Sequence, residues 1–164
     1  MKIGIIGDSH DNIKKLDEAI NFLKEIDIDM LLHTGDFISP FTIPHLKPFG
    51  EHLIGVYGNN DGWRHILSKK VNEIGGVLNA ESFILKPKGV PIFLTHGHRD
   101  LLLDSAINSG LFHIVVYGHT HRREVRKENG TLIINPGELC GYLTGNSTLA
   151  ILDLNTMKVL FHIL

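Results

Sequence analysis

The sequence predicts a mixed α/β fold in which two sheets pack face to face with helices outside, on two observations. Short continuous runs of Ile, Val and Leu alternate with segments of helical spacing, and the last third of the chain changes to hairpin-like strand pairs. Apolar runs of this length read as strands buried on both faces, the habit of parallel sheets joined by right-handed crossovers. At 164 residues the chain is long enough for one domain with a real core and short for two, so residues 1–164 are read as a single domain.

Taken in order, the apolar runs are IGIIGD (3–8), MLLHTGD (30–36), LIGVYGN (53–59), IFLTHGH (92–98) and IVVYGHTH (114–121). After the first, Asn12 is a good helix N-cap, and Ile13, Leu16, Ile20, Leu23 and Ile26 form one apolar stripe. A second stripe, Ile66, Leu67, Val71 and Ile74, is closed by Gly75 and Gly76, and residues 99–109 form a third helix ending before Gly110. Residues 121–135 read as a hairpin turning at Asn129-Gly130, a dipeptide suited to a type I′ turn. STLAILDL (147–154) and MKVLFHIL (157–164) pair around Asn155-Thr156, and these C-terminal strands are expected to be antiparallel.

Composition narrows the function classes. Hydrophobic residues at 43% and charged residues at 21% match a soluble globular protein and exclude disorder, collagen-like repeats and disulfide-dense scaffolds. A net charge of -2 supplies no positive field for nucleic acid or membrane, and no apolar run approaches the roughly 20 residues that span a bilayer. The N-terminus runs straight into a strand without a signal peptide, and the single cysteine, Cys140, suits a reducing compartment, so a cytoplasmic location is expected. The 11 histidines stand out, since imidazole is the commonest metal ligand and acid-base side chain.

Five apolar runs each deliver metal-ligand types at the C-terminal end: Asp8 and His10, Asp36, Asn59, His96, then His119 and His121. In open α/β sheets that edge is where ligands bind. A glycine adjoins each group, and the i, i+2 spacing of Asp8 with His10, His96 with His98 and His119 with His121 puts each pair on one face of an extended chain. One Asp or His at a strand end is ordinarily a cap or turn former. Seven at five strand ends point to a metal site. Carboxylate, carboxamide and imidazole without thiolate suit manganese, iron, zinc, nickel or cobalt. Seven ligands exceed one tetrahedral ion and suit two ions sharing a carboxylate, the clamp used for displacement at phosphorus.

These blocks, D8-S-H10, G35-D36, G58-N-N-D61, H96 and G118-H-T-H121, resemble the calcineurin-like metallophosphoesterase superfamily from residue 8 to 121. The short chain, the GNND block and the NPG at 135–137 look most like its small stand-alone phosphodiesterase branch, relatives of which include a retromer scaffold subunit. The resemblance implies an αββα sandwich. It also implies that Asp8, His10, Asp36 and His121 hold one divalent metal ion and Asp36, Asn59, His96 and His119 the other, manganese first among the metals considered. The implied reaction is phosphodiester hydrolysis by a hydroxide bridging the two ions, on a small substrate for which nucleotide-type diesters are one option. The alternative is a non-catalytic scaffold of the same fold. No membrane or stable nucleic-acid partner is implied, and a homo-oligomer stays open. One departure is Asn60, where many relatives carry a histidine that assists the leaving group. His98 is the substitute candidate beside Asp36 and Asn59 in the catalytic set.

Other residues divide between two roles each. Asp61 either orients its neighbours or caps the helix starting near Trp63. Trp63 is read as a packing residue in preference to a platform for a nucleobase. Arg122, Arg123, Arg126 and Lys127 read as a solvated strand face, His33, His45, His52, His65, His113 and His162 as packing or surface histidines, and Cys140 as a small buried residue.

Overall fold

Ile3 and Ile5 point to one side of the first strand and Gly4 and Ile6 to the other, and all four are buried. A strand covered on both faces needs a layer above and a layer below. The computed structural model, which describes residues 1–78 and 80–164, supplies both. One sheet has the order β11-β10-β1-β2-β3-β4, built from β1 (Lys2–Ile6), β2 (Met30–His33), β3 (Leu53–Gly55), β4 (Val77–Leu78), β10 (Thr148–Asp153) and β11 (Lys158–Ile163). The other has the order β5-β6-β7-β9-β8, built from β5 (Ser82–Leu85), β6 (Ile92–Thr95), β7 (Ile114–Val116), β8 (Arg123–Glu128) and β9 (Thr131–Pro136).

Ile3, Ile5, Leu32 and Leu152 of the first sheet, with Val56 just beyond β3, meet Ile92, Leu94, Ile114, Val116 and Ile134 of the second in one buried cluster. Helix α1 (Ile13–Glu25) closes the far face of the first sheet with Leu16, Ala19, Ile20 and Leu23, and α2 (Arg64–Glu73) adds Leu67 and Val71. Helix α3 (Asp100–Asn108) covers the second sheet, Ala106 and Ile107 packing on Phe93, Val115 and Ile133. The result is the expected αββα sandwich. Asn12 caps α1 as its position predicts, its side-chain oxygen accepting from the Lys15 N–H at 3.2 Å.

Both hairpins form where the turn residues place them, with Glu128 opposite Thr131 and Asp153 opposite Lys158. Asn129 and Gly130 both have positive φ, as a type I′ turn requires. The C-terminal strands are antiparallel within each hairpin, as expected, and β9 also runs parallel to β7, which makes the second sheet mixed. The hairpins also part company, β8–β9 extending the second sheet and β10–β11 joining the first beside β1. Pattern reading passes over β4, β5 and a 3-10 stretch at Pro40–His52, because two- and four-residue strands are too short to show a period and Pro44 and Pro48 break the helical spacing.

Candidate metal centre

The strands β1, β2, β3, β6 and β7 all stop before their ligand-type residues, and the following loops are stitched together by their own backbones. Asp8 N–H donates to the Gly35 carbonyl at 3.0 Å, His10 N–H to the Asp36 carbonyl at 3.0 Å and Gly118 N–H to the His96 carbonyl at 2.9 Å. The His119 N–H donates to Asp8 Oδ2 at 3.1 Å and the Asn60 N–H to Asp36 Oδ1 at 2.9 Å. The five strand ends are therefore one site.

Local conformation differs from the extended chain expected of the i, i+2 pairs. Asp8, His10, Asp36, His119 and His121 all lie at φ between 42° and 66°, the left-handed region that L side chains seldom adopt. The pairs do share one site, but tight left-handed turns bring them there, not strand alternation. Strain of this kind concentrates at functional sites. Gly58 permits the close approach of loops: a Cβ there would collide with Asp36 Oδ1 and stand 2.6 Å from the Asp36 nitrogen.

Asp8 and Asp36 are wholly buried, and the basic groups nearest them are imidazoles. His10 Nε2 lies 3.4 Å and His96 Nε2 3.5 Å from the same atom, Asp36 Oδ2, so Asp36 stands between two histidines. Asp8 Oδ1 lies 3.6 Å from His121 Nε2 and 4.0 Å from His10 Nε2. Asp8, His10 and His121 form one group with converging ligand atoms, and Asp8, Asp36 and His96 another. The His119 ring sits 5.1 Å from that of His96, and Asn59 Oδ1 is 2.9 Å from His96 Nε2. All seven predicted ligand-type residues thus border this centre.

Electrostatics indicate what kind of group these donors fit. Burial, with the Asp36 charge next, pushes the Asp8 carboxyl up to about 8, and burial pulls His96 down to about 4. A neutral His96 has one ring proton, which the buried Thr34 carbonyl takes at Nδ1 over 2.9 Å. Its Nε2 then aims a lone pair at the Asn59 carbonyl oxygen. Two lone pairs converging on one space are arranged for a cation. Among the described residues, the buried side-chain polar atoms without a hydrogen-bond partner are Asp8 Oδ1, His10 Nε2, Thr34 Oγ1 and His98 Nδ1, every one of them in or beside this site. Two divalent ions fit this donor set.

The calcineurin-like phosphoesterase superfamily domain matches residues 1–157. The chain is 41% identical over 154 residues, 93% of each chain, to a phosphodiesterase of Methanocaldococcus jannaschii. The chain belongs to the calcineurin-like phosphoesterase superfamily. It also superposes on a solved archaeal phosphodiesterase with a TM-score of 0.96, at 37% identity and over 100% of both chains. Vacuolar protein sorting 29 of Cryptosporidium parvum shares the fold, with a TM-score of 0.72 at 22% identity over 99% of this chain and 96% of that one.

Several residues that hold this phosphoesterase centre carry no ligand signal of their own. Glu138 is wholly buried and accepts from His121 Nδ1 at 2.7 Å, from the Leu143 N–H at 3.0 Å and from the Thr144 hydroxyl at 2.7 Å. It follows directly on Asn135-Pro136-Gly137, the one cue in sequence that could have found it. The Asn135 amide donates to the Gly118 carbonyl at 2.9 Å, so that turn does reach the site. Asp61 does not cap α2; it accepts from the Gly58, Ile38 and Asp36 N–H groups at 2.7, 2.8 and 3.0 Å, tying two loops together. Asn60, in the place of the family's histidine, donates its amide to Asp36 Oδ2 at 2.8 Å. His98 sits with its ring 5.4 Å from His96 and 6.2 Å from His119, its Nε2 4.0 Å from Glu81, and burial holds it below its usual pKa. Trp63 contradicts its packing assignment: it is 74% exposed. Cys140 is buried and the side chains of Arg122, Arg123, Arg126 and Lys127 face solvent, as expected. His33 packs under the site, stacked on Phe37 with ring centroids 3.6 Å apart.

Proposed function

We propose that this phosphoesterase hydrolyses small phosphodiesters with two divalent metal ions, one held by Asp8, His10, Asp36 and His121 and the other by Asp36, Asn59, His96 and His119. The observation that carries the reading is the buried pair Asp8 and Asp36, faced by imidazole nitrogens and a carboxamide oxygen with unshared lone pairs. The phosphodiesterase of M. jannaschii, similar over 93% of both chains, supports a diester substrate. Bound there, two divalent ions would lower the pKa of water towards neutrality and offset the charge that builds on phosphorus.

The chain's own residues prepare for this. Asp36 Oδ2 lies 3.4 Å from His10 Nε2 and 3.5 Å from His96 Nε2, so Asp36 would be the carboxylate shared by both ions, and Asn60 fixes it through both a main-chain and a side-chain N–H. Glu138 takes the Nδ1 proton of His121 into a hydrogen bond and so leaves Nε2 to the centre. Asn60 carries no acidic proton, so the leaving oxygen is met by His98, a ring held towards neutrality that donates a hydrogen bond in place of a full proton. Manganese is the metal proposed first, and nickel, iron, cobalt or zinc are also compatible with a carboxylate, carboxamide and imidazole donor set. The domain comprises residues 1–164 and works in the cytoplasm; no helix among the described residues is long and apolar enough to cross a membrane. A scaffold of the same fold would have no use for seven ligand-type residues in place.

The test is hydrolysis of bis(p-nitrophenyl) phosphate by chelator-stripped protein before and after adding manganese or nickel, beside Asp36→Asn. Turnover restored by metal in the native protein and absent in the variant is expected. A protein that binds two ions and turns over no diester would favour the scaffold.

A further inference from the structure

Trp63 is the single tryptophan of the chain, it is 74% exposed, and its backbone is held at φ 43° and ψ 38°. An exposed indole and a left-handed backbone at a bulky residue are each costly, and folding alone gains nothing from the pair. The segment around it is fixed on both sides. Asn60 is bound to Asp36 and Asp61 to three backbone N–H groups. Beyond it, the Arg64 guanidinium donates to the Gly58 carbonyl at 3.0 Å and to Glu81 at 2.8 Å. Trp63 is three residues from Asn60, so their Cα atoms stand at most about 11 Å apart. A second exposed aromatic, Phe41 at 82%, follows Ile38, whose N–H is bound to Asp61.

We infer that the Trp63 indole is a stacking platform for a planar aromatic group, a nucleobase or a simple aryl ring, on the substituent of the phosphodiester that stays on phosphorus when the leaving group departs. The inference rests on the phosphodiesterase reading and names its substrate class. The tied backbone on both sides of Trp63 limits the ordering cost on stacking to the indole's own side-chain torsions. Stacking accepts any flat ring, so it selects aromatic from alkyl diesters without choosing among bases.

Two measurements test it. Thymidine 5′-(p-nitrophenyl phosphate) and methyl p-nitrophenyl phosphate share a leaving group and differ in the other substituent. The ratio of their kcat/KM values should fall roughly 5- to 100-fold in Trp63→Leu, mainly through KM, and recover in Trp63→Phe. A merely structural role would lower both substrates together and leave the ratio unchanged, which would overturn the inference. Because Trp63 is the single indole, its emission in the zinc-loaded protein reports binding directly. Saturable quenching by thymidine 5′-monophosphate, and by phenyl phosphate if a simple aryl ring suffices, is expected, with none from ribose 5-phosphate. Equal quenching by ribose 5-phosphate would overturn the stacking. So would blue-shifted emission without ligand that reverts on dilution, since a second copy would then be covering the ring. Absence of turnover in the native protein with either ester would remove the phosphodiesterase reading, while the quenching still decides the fate of the platform.

Discussion

Glu138 accepts from His121 Nδ1 and so governs which nitrogen His121 offers to the centre. In Glu138→Gln the charge that orders the ring is gone, and metal affinity should fall about 10- to 100-fold in a calorimetric titration. Unchanged affinity would show that His121 is positioned by packing alone. Gly58 is the steric counterpart. In Gly58→Ala the new methyl meets the Asp36 carboxylate and backbone, at a cost of about 1–3 kcal/mol that thermal unfolding would detect, together with weakened metal binding. A side chain accommodated with no loss of either would mean that the Asp36 loop is free to move.

At the scale of elements, Glu81 links α2 and α3. Its carboxylate accepts from Arg64 at 2.8 Å and from Arg99 at 2.7 Å, and those guanidinium groups hold it down to about 2. A carboxyl lowered in the fold contributes stability above its ordinary value near 4.5, and that contribution fades as pH falls towards 2. Glu81→Gln should therefore unfold at lower temperature than the native chain at pH 7, by a few degrees, and the two should converge in acid. A gap that persists at low pH would assign the loss to packing instead. Element by element, the sequence is most readable where one period dominates. The α1 stripe, the five apolar runs and both hairpin turns follow from residue type and spacing alone. The seven ligand-type residues are legible too, since polar groups ending buried strands demand a reason. What stays hidden depends on the third dimension: Glu138, distant in sequence from every ligand but His121, the two-residue β4, and the side of the sheet each hairpin joins. Trp63 is misread because a large apolar side chain defaults to the core unless its backbone and neighbours are known.

The whole molecule carries a cost at its centre that the metals remove. Burial, with the Asp36 charge next, makes the charged form of Asp8 costly in the fold, so Asp8→Asn should raise the unfolding temperature of chelator-treated protein while cancelling the rise that added metal gives the native chain. A variant less stable than the native protein without metal would show that the carboxylate is already compensated. The sheet order bears on how such a protein comes into being. Strand β1 lies between β2 and β10, the first made soon after it and the second about 145 residues later. At roughly 5–20 residues per second of synthesis, one edge of β1 waits on the order of 7–30 s for its partner. During that time a row of backbone donors and acceptors, flanked by Ile3 and Ile5, is open to any other strand in the cell. The centre cannot close while its first ligand strand is half paired. A nascent chain stalled before residue 148 should therefore bind no metal and engage a holding chaperone, whereas release of the full chain should end both conditions at once.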